Sequence, residues 1–144
     1  MKTLLVMPSL DNGYWKKLGK KVGPKSEPLS LLYIATFLNH NGHKTEILDC
    51  EAEGISNEEI EDHIKSNNYD VVCVAMLTSM FSQSLEVCKT AKKVNPNIKT
   101  VVGGSHASVR PVETAQEQSI DIVTIGEAEI TFKEILDALE KNTP

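Results

Sequence analysis

Three cysteines are all that this sequence holds, Cys50, Cys73 and Cys88, and none falls in a C-x-x-C or C-x-x-x-C-x-x-C pattern. That spacing offers no thiolate set for zinc or an iron–sulfur cluster and no framework for disulfides, so a reducing, cytoplasmic setting is expected. No apolar run approaches the roughly 20 residues that span a bilayer. The amino-terminal run Leu4-Leu5-Val6-Met7 is too short for a signal peptide. Positive charge is also scarce: 15 Lys and Arg stand against 20 Asp and Glu, a net charge of −5 with a pI near 5.4. A general nucleic-acid surface needs the opposite balance. No G-x-G-x-x-G follows the first apolar run, and neither G-x-x-x-x-G-K-[ST] nor G-x-S-x-G occurs. What is present is a chain of 144 residues and 15.9 kDa, 40% hydrophobic and 24% charged, as expected of one soluble domain.

Strand and helix patterns alternate along it. Leu4 to Met7 reads as a buried strand stopped by Pro8. Residues 29–42 carry Leu31, Leu32, Ile34, Ala35 and Leu38 at helical spacing and end at Asn41-Gly42. Lys44 to Asp49 alternates as a second strand. Ser56-Asn57-Glu58-Glu59 is a capping box that opens the next helix, with Ile60 and Ile64 inward. The most apolar segment, Val71 to Leu77, reads as the central strand. Leu85, Cys88, Ala91 and Val94 predict a helix that stops before Asn95-Pro96. Ile98 to Val102 is a fourth strand, Pro111 to Gln118 a short helix, Ile120 to Ile125 a fifth strand, and Phe132 to Leu139 the last helix. Five strands alternating with five helices predict an α/β, flavodoxin-like three-layer sandwich with a parallel sheet of order 2-1-3-4-5. One connection is long: about 20 residues, Ser9 to Pro28, hold the only Trp (Trp15) and five lysines, Lys16, Lys17, Lys20, Lys21 and Lys25, where strand-to-helix loops usually have about 2–6 residues.

In such a sheet ligands bind beyond the carboxyl ends of the strands, near the switch between the first and third. The residues placed there are Ser9, then Met76, Leu77, Thr78 and Ser79, then Gly103, Gly104, Ser105 and His106, then Gly126 and Glu127. Two glycines after a buried strand permit positive φ and close approach of a ligand, and equally a tight packed turn. The Thr78 and Ser79 hydroxyls suit a ligand's polar groups, and equally a helix cap. No second His or Cys stands near His106 to complete a metal site. His106 with Glu127 offers an acid–base pair for a small independent enzyme, without a nucleophile or metal to accompany it. A phospho-acceptor receiver needs an Asp at the end of the third strand, which here reads Val74-Ala75-Met76-Leu77.

Several segments, in order and across nearly the whole chain, resemble the N-terminal cobalamin-binding domain of radical S-adenosylmethionine (SAM) enzymes, the methyltransferase and cyclase family. They are Pro28-Leu29-Ser30-Leu31-Leu32-Tyr33-Ile34-Ala35, His40-Asn41-Gly42-His43, Glu46-Ile47-Leu48-Asp49, Asn95-Pro96-Asn97-Ile98, Val102-Gly103-Gly104-Ser105-His106-Ala107, and Asp121 to Glu129. The resemblance implies the same five-stranded fold, with corrin over the strand ends. It implies a nucleotide tail passing Thr78-Ser79 and Gly103-Gly104, with Gly126-Glu127 lining the far wall.

Two departures carry further implications. Domains of methionine-synthase type have D-x-H-x-x-G before the first helix, whose His ligates cobalt. The matching stretch here reads Lys25-Ser26-Glu27-Pro28-Leu29-Ser30, so any cobalamin would be held without a histidine at that lower-ligand position. Ala75 stands where relatives often have a serine, which leaves open a vestigial module that acts in packing or protein interaction instead. The family's cluster motif is absent, so residues 1–140 are expected to be the cofactor domain and 141–144 the start of a linker. The iron–sulfur cluster and SAM would then belong to a C-terminal radical SAM barrel, the domain's partner, and no turnover is expected of this piece alone. No nucleic-acid or membrane partner is expected.

Overall fold

A computed structural model describes residues 1–9 and 27–141. The expectations attached to Trp15 and its neighbouring lysines fall on residues 10–26 and lie outside the described residues, as do residues 142–144. Five strands, β1 (Lys2–Met7), β2 (Lys44–Asp49), β3 (Val71–Ala75), β4 (Lys99–Gly103) and β5 (Ile122–Val123), form one sheet of order β2-β1-β3-β4-β5 with every neighbouring pair parallel. Around it lie α1 (Leu29–His40), α2 (Cys50–Glu53), α3 (Asn57–Asn67), a 3-10 turn (Thr78–Met80), α4 (Phe81–Val94), α5 (Ser105–Val109), α6 (Pro111–Ala115) and α7 (Glu129–Glu140).

Local chemistry sets the helix limits. At the start of α3 the Ser56 hydroxyl accepts the Glu59 N–H while the Glu59 carboxylate accepts the Ser56 N–H, the reciprocal box expected of that tetrapeptide. α1 ends at Asn41, and Gly42 follows at φ +89°, a conformation that glycine adopts without strain. α4 ends at Asn95, whose extended backbone is what the following proline requires.

β1, β3 and β4 carry unbroken apolar runs because both faces of the sheet are covered there, whereas the edge strand β2 does not. Leu4, Val6, Val72, Val74 and Val102 point to the face packed by Ile60 and Ile64 of α3 and Cys88 and Ala91 of α4. Leu5, Val71, Cys73 and Val101 point to the other face, against Leu31 and Leu38 of α1 and Phe132 and Leu136 of α7. Each fully buried Val, Leu, Ile or Phe among them stabilises the fold by about 1.5–3 kcal/mol of transfer free energy.

Several boundaries differ from expectation, with the larger changes at the carboxyl edge. β3 stops at Ala75 rather than Leu77: the Met76 carbonyl accepts the His106 N–H and the Leu77 carbonyl accepts the Met80 N–H, so the chain leaves the ladder. β5 has two residues rather than six, because Gly126 turns the chain at φ +74° directly after Ile125. α5 occupies Ser105–Val109, where a loop was expected, and α6 stops at Ala115 rather than Gln118. α2 was also unexpected; Asp49 caps it through the Ala52 N–H and Gly54 closes it at φ +68°.

Candidate cofactor-binding edge

Every large apolar side chain that is exposed among the described residues lies on one side of the molecule. These are Leu29, Leu32 and Tyr33 in the first turns of α1, Leu77 directly after β3, Val109 and Val112 in the α5–α6 pair after β4, Ile125 directly after β5, and Ile130 in the first turn of α7. Each follows the carboxyl end of a strand. A scattered exposed leucine needs no explanation, but a set confined to one edge marks a surface built to be covered.

Three loops make the centre of this edge, and hydrogen bonds join them. After β3, Thr78 Oγ1 lies 3.1 Å from His106 Nδ1, which links the β3 loop to the β4 loop. The Phe81 ring packs on the same imidazole with centroids 4.7 Å apart. The Met76 N–H donates to the Gly103 carbonyl at 2.7 Å, and the Met76 carbonyl accepts the His106 N–H at 3.1 Å. Thr78 caps no helix: neither the 3-10 turn nor α4 has a side-chain cap. After β4, the Ser108 hydroxyl donates to the Gly104 carbonyl and accepts the Gly126 N–H, both at 3.0 Å, and so links the β4 loop to the β5 loop. Ser9 donates to Glu51 at 2.8 Å, tying the end of β1 to α2.

The glycines play different parts. Gly104 has φ +113°, and a Cβ there would sit 2.9 Å from the Met76 carbonyl oxygen. A Cβ on Gly103 would sit 2.4 Å from Thr124 Oγ1. Both are therefore required by the protein's own packing, the tight-turn alternative open to that pair. Gly126 has nothing within 4 Å of its would-be Cβ and is exposed, so bare backbone faces open space there.

The eleven expected site residues divide accordingly. Leu77, Thr78, Ser79, Gly104, Ser105, Gly126 and Glu127 are exposed at the edge. Ser9 and Gly103 are half-buried, and His106 is nearly buried between Thr78 and Phe81. Met76 departs from the expectation: its side chain is 0% exposed and belongs to the core, so it supports the edge from below instead of lining it. His106 is joined to Thr78 rather than to Glu127, which does not assemble the acid–base pair weighed for an independent enzyme. Ser108 is the site residue that sequence reasoning missed. A serine in a five-residue helix carries no periodic signal, and only the fold brings Gly126 to it.

No thiolate serves this edge. Burial pushes the thiols of Cys50, Cys73 and Cys88 each up to about 12, with Asp49 adding to the effect at Cys50. All four histidines of the chain are described, and only His106 stands at the carboxyl edge; His40 and His43 lie at the far end of α1 and the start of β2, and His63 lies late in α3.

Comparison with known proteins gives the family and the fold. The family model described as the B12 binding domain matches residues 15–136. An uncharacterized methyltransferase of Pyrococcus horikoshii is 37% identical over 142 residues, covering 98% of this chain and 30% of the relative. The radical SAM methyltransferase TsrM of Kitasatospora setae, solved with cobalamin and a [4Fe-4S] cluster bound, superposes with a TM-score of 0.81 at 18% identity, over 99% of this chain and 25% of its own. The cobalamin-dependent SAM radical enzyme OxsB, solved with aqua-cobalamin, gives a TM-score of 0.78 at 15% identity over 99% of this chain and 19% of its own. The chain therefore spans less than a third of the length of these relatives, and at such identities the superpositions establish the fold.

Proposed function

This chain belongs to the B12 binding domain family, and we propose that it seats the corrin ring on the carboxyl edge of its sheet and presents the cofactor to a following radical SAM domain. The observation that carries the reading is the exposed apolar set confined to that edge, with open backbone at Gly126 in its midst. A corrinoid is a broad, flat macrocycle with an apolar body and an amide-bearing rim. Leu77 and Ile125 give the body an apolar floor. The exposed Thr78, Ser79 and Ser105 hydroxyls give the rim donors and acceptors, and Gly126, its own N–H held by Ser108, leaves room for close approach. The residues present fit the group.

When bound, cobalamin supplies a cobalt–carbon bond that can carry a methyl group to a substrate radical. This chain's own part is to bind, orient and shield. Gly104 holds the β4 loop against Met76 so that Ser105 stays at the surface. Thr78 fixes the His106 imidazole through Nδ1, which leaves neither residue free to swing. Ser9, Gly103 and Glu127 border the same edge, Glu127 on the far wall beside Gly126. No histidine is offered as a lower ligand where Glu27-Pro28-Leu29-Ser30 precede and open α1, and His106 is engaged with Thr78, so the cobalt would be held without a histidine from this domain. Residues 1–140 would form the module and 141–144 lead toward the barrel, where SAM and an iron–sulfur cluster generate the radical. The identity of the whole protein as a methyltransferase rests on the named relatives.

The direct test is titration of the purified chain with hydroxocobalamin, followed by absorption spectrum and calorimetry. One saturable site is expected. It should be weakened at least about tenfold by Leu77→Asp, which puts a charge on the apolar floor. No saturable binding would sink the cofactor reading and leave a module that serves only in packing.

A further inference from the structure

At the opposite edge of the sheet, three potential ligands from two elements converge on a buried imidazole. His43 stands in the turn before β2, and its side chain is only 2% exposed. Its Nε2 lies 3.1 Å from Asp137 Oδ1, and its Nδ1 lies 3.6 Å from Glu140 Oε1, both carboxylates on the last turns of α7. His43 Nδ1 is buried and has no hydrogen-bond partner. Asp137 also pairs with Lys133 at 2.6 Å, and Glu140 with the Met1 ammonium.

The arrangement has an electrostatic gap. Asp137 accepts a hydrogen bond only from an Nε2 that carries hydrogen. In the neutral ring that leaves the lone pair of Nδ1 facing a carboxylate oxygen, two acceptors with nothing between them. A divalent ion about 2.0–2.1 Å from each ligand atom spans a gap of this width. A carboxylate on the other nitrogen of a ligating histidine is the usual way in which tautomer and ring orientation are fixed.

We propose that His43 Nδ1 and Glu140 form a binding site for a zinc-class divalent cation, with Asp137 positioning the imidazole through Nε2 and water completing the coordination. The ion displaces the Met1 ammonium from Glu140 and staples the turn between α1 and β2 to the end of α7. The site is separate from the carboxyl edge and does not depend on the cofactor reading.

The test is calorimetric titration of the purified 144-residue chain, free of cobalamin, with zinc chloride at pH 7.5. One site per chain is expected. Glu140→Gln, an exposed change that leaves the core untouched, should weaken it at least tenfold. Asp137→Asn should weaken it by about 10-fold or more. Nitrogen NMR of His43 should show Nδ1 shifting on zinc addition while Nε2 stays protonated. Absence of zinc heat, or a zinc isotherm that Glu140→Gln leaves unchanged, would overturn the proposal. So would an imidazole already protonated on both nitrogens and indifferent to zinc, since a proton then fills the gap.

Discussion

The two edges of the sheet are finished in different ways. At the amino edge, polar groups close on one another. Asp70, just before β3, accepts the Lys2 N–H at 2.7 Å, and Asp121, just before β5, accepts the Thr100 N–H at 2.7 Å, so the same device ties β1 to β3 and β4 to β5. Lys92 pairs with Asp121, and Tyr69 donates to Glu46 at 2.6 Å. At the carboxyl edge the charge lies to the sides, in the Arg110–Glu113 pair and at Glu51 and Glu127. Loops are joined by hydroxyls and backbone, and apolar side chains are left uncovered. The amino edge closes on itself except where His43 Nδ1 faces Glu140, whereas the carboxyl edge leaves its apolar side chains open.

Substitutions can break this contrast. Gly104→Ala should cause the largest loss of stability. It forces an L residue to φ +113° and drives a Cβ onto the Met76 carbonyl, costing about 2–3 kcal/mol, to be read from the urea midpoint of unfolding. Asp121→Asn comes next and strikes the amino edge. Burial alone would raise the Asp121 carboxyl, but hydrogen bonds from Lys92 and Thr100 outweigh it and hold the group below its usual value. Its folded pKa thus lies under its unfolded one. Its contribution is present at neutral pH and is lost as pH falls through the folded value. The variant should lose about 1–2 kcal/mol at pH 7 and show a shallower fall in stability on acidification, measured by denaturation from pH 7 to pH 3. A wild-type slope unchanged in the variant would show that the amino edge is not closed by this carboxylate.

Thr78→Val keeps the side-chain shape and removes the bond to His106. A loss of about 1 kcal/mol is expected, with the His106 ring resonances broadened in NMR. Leu77→Asp should change folding stability least, within about 0.5 kcal/mol for an exposed site, while weakening cobalamin at least about tenfold. If it destabilised the chain as much as Asp121→Asn, Leu77 would belong to the core and the contrast between the edges would fail.

Much of the frame was legible. Strand order followed from the alternation of unbroken apolar runs with amphipathic helices. Ser56 with Glu59 and Asn41 with Gly42 marked helix limits because their chemistry is local. The edge was less legible for a physical reason. Where β3 stops depends on a partner distant in sequence, since the Met76 carbonyl meets the His106 N–H, while β5 is cut short by the turn at Gly126. At Gly103 and Gly104 the lack of side chains is needed by Thr124 and Met76, the packing alternative that two consecutive glycines leave open in a sequence. α5 was invisible because five residues hold too little of a period to be seen.

Ser108 carries one more consequence. Its single hydroxyl is the crossbar between Gly104 and Gly126, so the distance between the two halves of the carboxyl edge is set during folding rather than on contact. If the edge seats a ligand as proposed, a gauge of this kind would favour occupants of one width over narrower ones that need the halves to draw together. Its removal should show less as lost stability than as lost discrimination: the chain would still fold, but it would accept a wider range of occupants.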